Sequence, residues 1–214
     1  MSKKIDQLIA DAGIAINNSL QNTELQPMLA EFGYSAERLT EGKTLLDNAT
    51  TLNIRQEKEL GEKTGATNLR DSKREQAHKD YIRFVKIARI AFVNEQGTWQ
   101  ALGLMGDRKD SISGWLAQTN QFYTNILGNQ NWIEKMANYG ITAEKLTAGQ
   151  TLTKEVEKAN NRLKTEMGEA QEATRLRDEI ADTLQAWHSD FIAIARIALE
   201  DKPQYLEILG IVKK

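Results

Sequence analysis

The chain has 214 residues, 27% of them charged and 40% hydrophobic, with only two prolines, a composition that points to a folded, helix-rich protein and excludes a disordered one. The formal net charge is −2, and each half carries 14 Lys plus Arg against 15 Asp plus Glu, which argues against nucleic-acid binding. Cysteine is absent, so disulfides, thiolate catalysis and cysteine-ligated metal are excluded, and no apolar run approaches the roughly 20 residues that cross a bilayer.

Organisation is set by an internal repeat. Placing residue n beside residue n+107 aligns the whole chain without a gap, with 32 of 107 pairs identical. The reading is therefore a tandem duplication, copy one at 1–107 and copy two at 108–214, the two sharing one core. The opening segment interrupts its apolar residues with acidic and polar ones too early for a signal peptide, which predicts a cytoplasmic protein.

Ile5, Leu8, Ile9, Ala12, Ile16 and Leu20 recur at helical spacing, as do Ile112, Trp115, Leu116, Phe122, Tyr123 and Leu127 in the second copy. Each set predicts a helix of about 18 residues. A short helix follows, with Leu25, Met28, Leu29 and Phe32 on one face, and Gly33 or Gly140 as its stop. Ser35 and Thr142 are placed to cap the next helix, with Glu37 and Glu144 in its first turn, where exposed backbone N–H groups favour a carboxylate.

From there to about Asn94 and Asp201 the pattern is helical, and two readings compete. Leu60 to Asn68 collects Gly, Thr and Asn, weak helix formers, as a hairpin turn would. Copy two keeps a seven-residue register through the same region, at Val156, Leu163, Ala170, Arg177, Leu184, Phe191 and Ala198. An unbroken helix would run about 60 residues, roughly 90 Å, against usual lengths of 10 to 14. The favoured fold is accordingly all-α, with antiparallel helical hairpins forming a pseudo-twofold four-helix-type bundle plus extra short helices. The alternative is two helices of about 60 residues crossing as an antiparallel coiled coil. Gly97 and Pro203 follow the helical run, and Leu102-Gly-Leu104 or Leu209-Gly-Ile211 closes each copy.

Chemistry-bearing patterns are sparse. Glu75 and His78, one turn apart, have the spacing of a Glu-x-x-His metal pair, but copy two has Asp182 and Gln185 there. His188, Ser189 and Asp190 lie too close in sequence to share a helix face. The junction from Gly103 to Ser111 lacks the spacing of a phosphate-cradling loop. No catalytic or cofactor-binding residue and no cofactor is assigned, and Glu75 and His78 stay weak metal candidates.

Arg89 and Arg196 sit inside apolar Ile-Ala-Arg-Ile-Ala runs and are matched with Glu37 and Glu144 as structural ion pairs. The hairpin pairs Glu37 with Arg89 and Glu144 with Arg196; long helices exchange these partners. Glu62, Arg70, Glu169 and Arg177 form a second shared charged set. Trp99, Trp115, Trp132, Trp187, Phe84, Phe122, Tyr139 and Phe191 are read chiefly as core. The functional expectation is a non-enzymatic interaction or scaffold protein with an unknown protein partner, self-association, no nucleic acid and no membrane. Its rivals are a bundle binding a small apolar or anionic ligand between the copies, and a metal-dependent enzyme.

Overall fold

The structure is a computed structural model describing the backbone of residues 2–211 and the side chains of residues 4–211. It is all-α: α1 (Ser2–Gln21), α2 (Leu25–Glu31), α3 (Ala36–Ala91), α4 (Gln96–Ala101), α5 (Ile112–Leu127), α6 (Gln130–Ala137), α7 (Ala143–Ala198) and α8 (Gln204–Ile208). The bounds of α7 are those of α3 displaced by 107 residues. Gly33 and Gly140 take φ of +87° and +76°, the left-handed conformation that ends α2 and α6 at little cost. No helix among the described residues is long and apolar enough to cross a membrane.

The expected hairpins do not form. Residues 61–68 and 168–175 are helical, and α3 and α7 each run for 56 residues. The reason lies in the unbroken stripe of shielded positions. Gln56, Glu59, Lys63, Ala66, Arg70, Lys73 and Ala77 alternate steps of three and four, and all are buried or half-buried. Val156, Ala159, Leu163, Glu166, Ala170, Ala173 and Arg177 do the same in α7, all buried. A turn would have broken both stripes. Gly61 and Gly65 are exposed helix residues, not turn formers.

The chain divides into two compact units, residues 1–61 with 168–214, and residues 62–167. Each draws on both 107-residue segments. In the first unit α1, α2 and α8 pack on the opening half of α3 and the closing half of α7. Leu39 clusters with Phe191 and Ala195, whereas Leu46 and Ala49 cluster with Ala181 and Leu184, so the two long helices run antiparallel there. Trp187 stacks on Phe191 at 5.3 Å, and the Tyr34 ring meets both edge-on.

In the second unit α4, α5 and α6 pack on the closing half of α3 and the opening half of α7. Leu146 joins Tyr81, Phe84, Val85 and Ala88, and Val156 joins Ala77 and Trp115, again an antiparallel arrangement. Buried positions of the first unit, among them Tyr34, Leu39, Phe191, Ala195, Leu199, Leu209 and Ile211, have their 107-residue counterparts buried in the second: Ile141, Leu146, Phe84, Ala88, Phe92, Leu102 and Leu104. Each fully buried large apolar side chain among them contributes about 1.5 to 3 kcal/mol relative to exposure.

Candidate functional site

In the second unit the segment between α4 and α5 crosses the outer face of α3, and a solvent-open pocket of about 560 Å³ lies between them. Asp71, Arg74, Glu75, His78 and Ile82 line it from α3, and Arg108, Lys109 and Asp110 from the crossing segment. Helical spacing explains the first set, since positions three and four apart share a face. Contacts from the segment hold the second. Arg108 donates from Nη1 to the Tyr81 hydroxyl at 2.9 Å and from Nη2 to the carbonyls of Met105 and Gly106 at 2.9 and 3.2 Å. Arg74 Nη2 donates to the Asp110 carbonyl at 2.6 Å. The Lys109 backbone N–H donates to Gln118 on α5 at 2.8 Å.

His78 sits at the inner wall, half-buried. The Trp115 indole N–H donates to its Nδ1 at 3.0 Å, which requires a neutral ring with its proton on Nε2. Burial lowers the His78 pKa from the ordinary 6.5, the Arg74 charge acts in the same direction, and Asp110 opposes. The Arg74 guanidinium also lies 5.8 Å from the Trp115 ring centre.

The structure thus brings Glu75 and His78 to one pocket, as their spacing predicts, but surrounds them with competing partners. Glu75 pairs with Lys79 at 3.1 Å, and His78 has committed one nitrogen to Trp115. Among the described residues no third histidine or carboxylate completes a metal-binding group with them.

The expected ion pairs are differently partnered. Arg89 donates from Nε and Nη2 to the Leu104 carbonyl at 3.0 and 2.6 Å, closing the loop after α4 onto α3. Its counterpart Arg196 is exposed. The Glu37 carboxylate accepts from the Ser35 hydroxyl and from its own backbone N–H, and Glu144 likewise from Thr142 and itself, which lowers both pKa values. Among the described residues none of these four forms an ion pair: a carbonyl satisfies Arg89, and the exposed helix N-termini satisfy the carboxylates locally. Arg70 and Arg177 pair with the following residues, Asp71 at 2.7 Å and Asp178 at 2.6 Å.

Of the charged lining and its partners, sequence reading singled out only Glu75 and His78; it missed Asp71, Arg74, Lys109 and Asp110, and with them Arg108 and Trp115. The partners of Arg108 are carbonyls and a phenol 27 positions away, which no local pattern marks. Trp115 was visible only as an apolar-face aromatic. Of the aromatics read as core, Tyr139 is instead exposed; Phe32, read on the apolar face of the short helix, is exposed as well. Chemically the pocket is a hydrogen-bonding surface of guanidinium, ammonium and imidazole N–H groups with carboxylates at its rim. No protein-family model, curated protein or solved structure matches the chain.

Proposed function

We propose that the chain is a tandem duplication serving as a non-enzymatic interaction or scaffold protein of the cytoplasm, with a protein partner or a second copy of itself, and with neither nucleic acid nor membrane as target. One observation carries the reading. Large apolar side chains are exposed at equivalent positions of the two 107-residue segments: Phe32 and Tyr139, Leu60 and Met167, Ile90 and Ile197. Single exposed apolar residues are ordinary on protein surfaces. Recurrence is the informative part, because 75 of 107 aligned positions (107 − 32) differ, and an exposed apolar side chain contributes little to folding. Ile90 and Ile197, 60% and 55% exposed in the last turns of α3 and α7, are the most accessible of these pairs.

Photo-crosslinking tests it. A benzophenone side chain placed at residue 90 or residue 197 is expected to capture the same species from both sites, identified by mass spectrometry. Capture no greater than from the exposed polar position Lys158, or unrelated adducts from the two sites, would overturn the proposal.

A further inference from the structure

We propose that the pocket between α3 and the segment 108–110 binds a small oxyanion, the phosphate or carboxylate group of a ligand. By simple count its ionic lining is balanced, with Asp71, Glu75 and Asp110 against Arg74, Arg108 and Lys109. Two of the three acids, however, are engaged by cations outside the lining: Arg70 holds Asp71 at 2.7 Å and Lys79 holds Glu75 at 3.1 Å. None of the three lining cations has an ion-pair partner among the described residues. Their hydrogen bonds go to neutral oxygens, the Tyr81 hydroxyl and the carbonyls of Met105, Gly106 and Asp110. Asp110 is left as the single carboxylate facing three uncompensated positive charges.

The donors are also incompletely used. Arg108 Nε is shielded from solvent without a hydrogen-bond partner among the described residues, an unsatisfied state that an incoming acceptor would relieve. The Trp115 bond to His78 Nδ1 fixes the ring proton on Nε2, which adds a neutral donor. Arg108 is already held at three oxygens, so little side-chain freedom is lost when an anion docks. A planar guanidinium suits carboxylate and phosphate oxygens alike, so the shared chemistry is the oxyanion. The pocket lining contains none of the exposed apolar residues that carry the interaction reading.

Isothermal titration calorimetry of the full chain at low ionic strength, with inorganic phosphate in one arm and acetate in the other, provides the test. Saturable binding is expected in at least one arm, and which arm gives it distinguishes a phosphate from a carboxylate ligand. Lys109→Gln removes an exposed charge whose ammonium has no hydrogen bond or ion pair among the described residues while keeping the Cβ and Cγ that lie beside Gly114, and Arg74→Gln removes a second. Each is expected to weaken binding about tenfold or more, as the loss of a charge-assisted hydrogen bond implies. Arg175→Gln, on an exposed arginine of the other unit, is expected to leave it unchanged. Absence of saturable heat with both anions overturns the proposal, as does binding that survives Lys109→Gln and Arg74→Gln undiminished.

Discussion

At the scale of single residues, the neutral imidazole of His78 couples folding to acidity. Its Nδ1 can accept the Trp115 indole N–H only while unprotonated, and burial with the Arg74 charge, opposed by Asp110, holds its pKa below 6.5. His188 is shifted in the same direction by burial, with Asp11 opposing. Both groups are more easily protonated in the unfolded chain. Stability is therefore unaffected by them above about pH 6.5 and falls as pH drops below it, toward the depressed folded values. The urea midpoint is expected to fall between pH 7.5 and 5.5, and His78→Gln, the residue found at the equivalent Gln185, is expected to reduce that fall. An unchanged pH slope in the variant would remove His78 from the account. Arg89 offers a second contrast. Arg89→Met deletes both donors to the carbonyl of fully buried Leu104 and is expected to cost about 1.5 to 3 kcal/mol in urea denaturation, whereas Arg196→Met, at an exposed position, stays within about 0.5 kcal/mol.

At the scale of elements, the glycines of α3 and α7 divide by what surrounds them. A Cβ on Gly42 would lie 2.4 Å from the Trp187 ring, and one on the equivalent Gly149 would lie 2.4 Å from the Tyr123 hydroxyl. Both are notches for aromatic rings. Gly61, Gly65 and Gly168 have nothing within 4 Å. Gly42→Ala and Gly149→Ala are thus expected to destabilise by about 1 to 3 kcal/mol through overpacking. Gly61→Ala, Gly65→Ala and Gly168→Ala are expected to stabilise by up to about 1 kcal/mol each, because alanine restricts the unfolded chain and favours the helix. The opposite sign in either group, read from denaturation midpoints, would contradict the packing described. The same contrast explains what could be read in advance. Gly33 and Gly140 end helices and were legible as stops because only the left-handed conformation fits there. Gly61 and Gly65 looked like a turn because composition alone does not reveal that the stripe from Gln56 to Ala77 continues beneath them. The seven-residue register from Val156 to Ala198 is the sounder signal, and the usual length of helices the misleading one. At the candidate site the helical spacing of Glu75 and His78 was legible. The partners that define the pocket, Arg108 and Trp115, arrive from distant sequence and depend on packing.

At the scale of the whole molecule, the compact units and the 107-residue segments do not coincide. Residues 1–61 fold with 168–214, and residues 62–167 form the other unit, so each long helix contributes one half to each unit. The buried positions agree. Leu39 meets Phe191 and Ala195 in one unit, and Leu146 meets Phe84 and Ala88 in the other, each contact joining one segment to its counterpart. Neither segment alone can complete either cluster. A fragment of residues 1–107 retains Leu39 without Phe191, and Phe84 without Leu146. Expressed singly, 1–107 and 108–214 are therefore expected to be poorly folded or to find their complement in a second identical chain, since Phe84 and Phe191, Ala88 and Ala195 are the same residue types at equivalent positions. Mixing the two is expected to restore a one-to-one complex with the helical circular dichroism and cooperative melting of the intact chain, because the mixture supplies every buried contact and lacks only the covalent link between residues 107 and 108. Two stable, cooperatively folded monomers from the separate fragments would show instead that each segment closes its own core.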